Sequence, residues 1–210
     1  MWTAAILAGG RARRLGGRDK SALRVGAGSI LERQLSVLRT LTPHILIVGR
    51  HASPPSPRGD FGAAQADTDV RFVEDRIQGA GGLGGLYTAL VEAPTEQVLV
   101  VACDMPFISA PFLAALAAVG ATADAAVPRD GRGTHPLCAS YQRRIADRLK
   151  ARIDAGALRI SDALGDVQVR DVGPDELAPF DPDGTLLINV NTPDDYRRAL
   201  LAAEREGLSS

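Results

Sequence analysis

Between Gly9 and Lys20 the chain sets Arg11, Arg13, Arg14, Arg18 and Lys20 among Gly9, Gly10, Gly16 and Gly17. Glycines let backbone N–H groups come close to a ligand and accept φ > 0. Guanidinium and ammonium groups supply the donors that phosphate oxygens take. Together they suit a nucleoside triphosphate, with Lys20 and Arg14 able to neutralise charge as its bonds shift. The plain alternative is a basic surface loop, the usual setting of Lys and Arg. Neither common phosphate loop is present. The Walker pattern needs Lys directly after its second Gly, whereas Arg18 and Asp19 separate Gly17 from Lys20. The dinucleotide pattern G-x-G-x-x-G fails because Gly9 and Gly10 are adjacent.

Other polar groups stand at the ends of apolar runs. Cys103-Asp104-Met105-Pro106 follows Val98-Leu99-Val100-Val101. A carboxylate there sits where open α/β sheets bind ligands, and it can place Mg²⁺ against phosphate oxygens. Asp104 could equally cap a helix or close a turn. Asn189 and Asn191 flank Val190 and share one side if that segment is extended; they could serve metal-bound phosphates or the turn before a helix. Asp75 ends a short strand, His135 precedes Pro136, and no His–carboxylate pair is evident.

The elements that must hold these groups follow from periodicity. Thr3 to Leu7, His44 to Val48, Val70 to Val73, Gln97 to Ala102 and Ala123 to Val127 read as strands, the continuously apolar ones buried on both faces. Ile30, Leu31, Leu35, Leu38 and Leu41 recur at helical spacing, which predicts a helix from about Ser29, its N-cap, to Leu41. Strand, helix, strand implies a parallel crossover. Gly79 to Gly85 reads as a ligand-approaching loop or a connector before a helix from Leu86 to Ala93. Thr134 to Tyr141 looks like one strand leading to a helix from Arg144 to Ala155; a short helix at 159–164 and a strand at 167–172 follow. Thr192, Pro193, Asp194 and Asp195 start a last helix. Residues 51–69, rich in proline, read as a surface loop.

Leu7-Ala8-Gly9-Gly10, Arg14-Leu15-Gly16 and Asp19-Lys20, with Cys103-Asp104-Met105-Pro106, His135-Pro136 and Asn189-Val190-Asn191-Thr192-Pro193, resemble the signature of the molybdenum cofactor guanylyltransferases. The match spans nearly the whole chain. It implies an α/β fold: a three-layer, mostly parallel sheet with helices on both faces, of the nucleotide-diphospho-sugar transferase type. It implies one domain over 1–210, with the N-terminal half mainly for GTP and Mg²⁺ and the C-terminal half mainly for the pterin cofactor. The implied reaction transfers GMP from GTP to molybdenum-molybdopterin. Lys20, Arg14 and Asp104 take the catalytic places. Leu7, Ala8, Gly9, Gly10, Lys20, Asp75, Asp104, Asn189 and Asn191 take the binding places, and Asp104 is the Mg²⁺ ligand. His135 would touch the second substrate, and Asn189 and Asn191 the pterin or the metal-bound phosphates. Molybdoenzymes or their chaperones are the expected recipients.

The chain departs from the resembled pattern at two places. Gly49 stands where Asn is common after the second strand, and Gly82 and Gly84 replace Pro and Ala. Two rival readings stay open. One is a cytidylyltransferase for the same cofactor, although Leu-Ala-Ala-Gly is usual there; the other is a non-catalytic nucleotide-binding adaptor.

Composition bounds the rest. With 210 residues, 45% apolar, the chain can bury a sizeable core. A formal net charge of −1 argues against general nucleic-acid binding. Cys103 and Cys138 are too few for a disulfide framework or a cysteine zinc site. No signal peptide or spanning run is evident, so a soluble cytoplasmic protein without membrane contact is expected.

Overall fold

A computed structural model describes residues 1–8, 22–49, 69–205 and 207. Its centre is β1 (Thr3–Leu7), buried at every position. β4 (His44–Val48) and β6 (Gln97–Ala102) pair with it in parallel, one on each side. An apolar run flanked in this way has no solvent side, which is why the strand does not alternate. β5 (Asp69–Val73) continues the sheet in parallel beyond β4. Beyond β6 lie β9 (Cys138–Gln142), β7 (Ala125–Asp130) and β10 (Val169–Val172). β9 alone runs antiparallel to its long neighbours. The short β8 (Gly133–Thr134) closes a hairpin on β7.

Alternation sorts the side chains into two layers. Ala4, Ile6, Ile45, Ile47, Leu99 and Val101 face α1 (Ile30–Arg39) and α3 (Ala110–Gly120). Ala5, Leu7, Leu46, Val48, Val98 and Val100 face α2 (Gly81–Glu92) and α4 (Ala146–Asp154). This is the expected three-layer sheet. Ser29 caps α1 as expected: its hydroxyl accepts from Glu32 N–H at 3.2 Å, and its own N–H donates to Glu32 Oε2 at 2.7 Å.

Several expectations change. The glycine-rich stretch is largely helical, since α2 begins at Gly81 rather than Leu86. Gly79 and Gly81 take positive φ, 84° and 58°, to turn the chain into that helix. The single strand expected over 134–141 is broken at 135–137 into β8 and β9. The helix expected from Arg144 opens as a tight turn at Arg143–Ile145 and becomes α4 only at Ala146. A hairpin of β2 (Arg24–Val25) and β3 (Gly28–Ser29), unmarked by periodicity, precedes α1. The stretch read as a loop at 51–69 lies outside the described residues apart from Asp69, which opens β5. The next helices are α5 (Ile160–Leu164), α6 (Pro174–Leu177) and α7 (Pro193–Arg205). Among the described residues, no helix is long and apolar enough to cross a membrane.

Candidate functional site

The carboxyl ends of β1, β4, β5 and β6 form one sheet edge, the place open α/β sheets reserve for ligands. Backbone bonds hold this edge together. Ala8 N–H donates to Val48 C=O at 2.7 Å, Gly49 N–H to Val73 C=O at 3.0 Å, and Cys103 N–H to Leu7 C=O at 3.1 Å. Leu7 itself is a core residue, its side chain turned toward α2. Gly9, Gly10, Arg14 and Lys20 lie outside the described residues.

Asp104 is half-buried in a turn that leaves β6, closed by Met105 N–H donating to Ala102 C=O at 3.3 Å. Its backbone carbonyl accepts the N–H of Val190 at 2.8 Å. That bond brings the 189–191 segment to Asp104. The segment is not a strand, and the two asparagines differ: Asn189 is half-buried and Asn191 exposed. The cause is α7. Thr192 Oγ1 accepts Asp195 N–H at 3.1 Å, and Asp195 Oδ2 accepts the N–H groups of Asn191 (3.1 Å) and Thr192 (2.9 Å). This reciprocal cap, centred on Thr192, bends the backbone just after Asn191 into the helix. Burial opposes ionisation of Asp195, but these hydrogen bonds outweigh it and hold its carboxyl below the ordinary value.

Beside this turn opens a cavity of about 380 Å³. Met105, His135, Leu137, Arg159, Ser161 and Asn189 are among its lining residues. His135 Nε2 lies 2.9 Å from Asp130 Oδ1. A His–carboxylate pair therefore exists where the sequence showed none, because the β7–β8 hairpin folds Asp130 back onto His135. Burial raises the cost of ionising Asp130, yet Arg132 and His135 more than offset it and lower its carboxyl to about 2. Tyr141, fully buried on β9, donates from its hydroxyl to Pro136 C=O at 2.5 Å and fixes the His-Pro turn. Cys138 also borders the cavity, but burial pushes its thiol up to about 12, so it is a packing group rather than a nucleophile.

Asp75, half-buried, stands beyond β5, which is separated from β6 by β1 and β4. It is nevertheless drawn toward β1. A Cβ on Gly85 would lie 3.4 Å from Leu7 Cδ1 and 3.7 Å from Asp75 Oδ1, so both side chains pack against the same turn of α2. Thr88, buried on α2, accepts Arg76 N–H at 3.0 Å and donates to Gly84 C=O at 2.9 Å, which fixes the turn after Asp75.

A small third core ties these segments together. Leu23 and Val25 from the β2–β3 hairpin, Phe107 beyond Asp104, Val190, and Ala199 and Ala203 of α7 pack as one cluster. Tyr196 donates to Arg24 C=O at 2.7 Å. Asp104, the asparagine segment and the stretch that opens the β2–β3 hairpin thus share one support.

The donor set suits a divalent cation that takes hard oxygen ligands. Asp104 offers a carboxylate, and Asn189 Oδ1 is buried with no hydrogen-bond partner among the described residues. Also among the described residues, no three His, Cys, Asp or Glu side chains cluster to hold a metal. A cation held by one or two protein oxygens, with phosphate oxygens completing its shell, is the arrangement these residues permit.

Sequence reasoning missed Gln34, Thr88, Asp130 and Tyr141. Only Gln34 leaves a signal: it interrupts the buried stripe of Ile30, Leu31, Leu35 and Leu38 on α1.

Comparison with known proteins agrees with this architecture. The family model for the MobA-like NTP transferase domain matches residues 4–168. A relative from Chloroflexus aggregans, named probable molybdenum cofactor guanylyltransferase, is 34% identical over 94% of this chain and 92% of its own. The crystal structure of molybdopterin-guanine dinucleotide biosynthesis protein A from Archaeoglobus fulgidus superposes with a TM-score of 0.80 at 28% identity, covering 98% of this chain and 100% of that one. Rv0371C from Mycobacterium tuberculosis, solved in complex with manganese, superposes with a TM-score of 0.66 at 25% identity, covering 95% and 97%. With the matched domain spanning the sheet edge just described, the chain belongs to the MobA-like NTP transferase family and is a nucleotidyltransferase.

Proposed function

We propose that this enzyme transfers GMP from GTP to the terminal phosphate of molybdenum-molybdopterin, forming the guanine dinucleotide cofactor and pyrophosphate. One observation supports this reading above others: the bond from Val190 N–H to the backbone carbonyl of Asp104 joins the residue that carries a carboxylate at the sheet edge to a segment that borders a cavity. A carboxylate for the metal-bound triphosphate and a chamber for a second substrate then lie side by side. Most of the cavity wall comes from the second half of the chain, in keeping with nucleotide binding by the N-terminal half and pterin binding by the C-terminal half.

In this proposal Asp104, with Asn189 Oδ1, holds Mg²⁺, which when bound neutralises phosphate charge and fixes its geometry. Gly9 and Gly10 present backbone groups to the triphosphate, Ala8, whose N–H is held by Val48 C=O, fixes the end of the strand before them, Arg14 and Lys20 offset the charge of the triphosphate, and Asp75 meets the nucleoside. His135, oriented by Asp130, faces the acceptor. A phosphate oxygen of the acceptor bonds to the α-phosphorus of GTP as the bond to the β-phosphate oxygen breaks, and pyrophosphate leaves with that electron pair. A phosphate monoester with a second pKa of about 6 is already largely dianionic at neutral pH, so no residue need remove a proton. Catalysis is then positioning plus charge neutralisation.

The test is pyrophosphate release from Mg-GTP in the presence of molybdenum-loaded molybdopterin. One pyrophosphate for each guanine dinucleotide formed is expected. Turnover with CTP and not GTP would replace this reading with the cytidylyl one. GTP binding without product would leave the adaptor.

A further inference from the structure

We propose that Gln34, with Arg33 holding the residues that follow the same turn, is the positioning residue that sets Asp104 for its metal; the inference rests on the reading of Asp104 as a metal ligand. Gln34 is fully buried in the α1 layer, among leucines. A buried amide is costly unless its hydrogen bonds are made. Its Nε2 donates to Ala102 C=O at 2.8 Å and to Met105 C=O at 2.9 Å. Both partners are carbonyls, so only the NH₂ end can face them, and both of its protons are used. Gln34 Oε1, in contrast, is buried with no hydrogen-bond partner among the described residues. The side chain is oriented wholly by the turn it grips.

Ala102 and Met105 are the two ends of the turn that carries Asp104. The bond that closes this turn is long, 3.3 Å, and both Gln34 bonds are shorter. Arg33 extends the brace by one residue: Arg33 Nε donates to Pro106 C=O at 3.1 Å, and its guanidinium lies 5.7 Å from the centre of the Phe107 ring. From the other side Val190 N–H holds the Asp104 carbonyl. The backbone of Asp104 is thereby gripped from α1 and from the asparagine segment. Groups that orient a metal ligand without touching the metal typically govern affinity by about 10- to 100-fold.

The experiment measures Mn²⁺ binding to the full chain in the presence of GTP, by the EPR signal of free Mn²⁺, for wild type, Gln34→Met, Arg33→Met and Asp104→Asn. Gln34→Met keeps the volume and removes both donors. We expect it to weaken Mn²⁺ binding by about 10-fold or more, with kcat largely restored at saturating metal. Arg33→Met should shift affinity in the same direction by a smaller factor. Asp104→Asn should bind worst, and no metal concentration should restore its turnover. Wild-type Mn²⁺ affinity in folded Gln34→Met, alongside weak binding in Asp104→Asn, overturns the role of Gln34 alone. Wild-type affinity in Asp104→Asn overturns the metal reading and this inference with it. Should Gln34→Met not fold, Arg33→Met decides, and unchanged affinity there overturns the brace.

Discussion

Val190 N–H donates to the carbonyl of Asp104 at 2.8 Å, while the Val190 side chain is buried in the small core shared with Leu23 and Phe107. One residue thus anchors the candidate metal ligand and the asparagine segment to the same support. Asp104→Asn keeps the backbone bond and the shape while removing the charge. We expect a folded protein whose transfer activity falls more than about 100-fold, the scale seen when one preorganised electrostatic group is lost. Circular dichroism checks the fold and pyrophosphate release the activity. Near-normal turnover at ordinary Mg²⁺ would reassign Asp104 to a structural turn.

Lys20→Ala tests the basic, glycine-rich stretch, which lies outside the described residues. If its ammonium meets the triphosphate, its loss should cost on the order of 2–4 kcal/mol in transition-state stabilisation. GTP affinity should weaken as well. Wild-type kinetics in the purified variant would remove Lys20 from the mechanism.

Asp130 predicts an acid-sensitive component of stability. Its carboxyl, ordinarily near 3.8, is lowered to about 2 in the folded chain. A depressed folded pKa means that the stabilisation is complete above the ordinary value and is lost as pH falls from about 4 through about 2. Urea midpoints measured in steps across that window should drop more steeply for wild type than for Asp130→Asn. Parallel slopes would show that the contacts with Arg132 and His135 contribute nothing to folding.

Gly120 marks a close approach of α3 to β9. A Cβ there would lie 2.2 Å from Ser140 Oγ and 2.5 Å from Ser140 Cβ. Ser140 is fully buried, its Oγ accepting from Gln97 at 2.9 Å, so it has little room to yield. Gly120→Ala should destabilise by about 1–3 kcal/mol through overpacking, despite the better helix propensity of alanine. Chemical denaturation gives the value. A neutral or stabilised variant would mean that helix and strand can separate without loss.

Much of the site's scaffold is written locally. The apolar runs of β1, β4 and β6, the Ser29 cap and the Thr192-Pro193-Asp194-Asp195 helix start each depend on neighbours within a few residues. Periodicity and capping chemistry reveal such features without a fold, and the placement of Asp104 at a strand end follows from them. The motif order carried the family resemblance for the same reason. What depended on distant chain segments was hidden. Glycine's poor helix propensity argued for a loop at 79–85, but packing decided for α2: Leu83, Leu86 and Leu90 are fully buried in its layer, and a Cβ on Gly84 would lie only 2.8 Å from Ala80 Cβ and 3.0 Å from the Ile77 carbonyl oxygen. The grip of Gln34 on Ala102 and Met105, the bond from Val190 to the Asp104 carbonyl and the bond from Tyr196 to Arg24 all arise where separate elements meet. A pattern in one segment specifies which face of an element is apolar. Which polar group on another element meets it is decided only when both sheet faces are covered and each buried donor must find an acceptor.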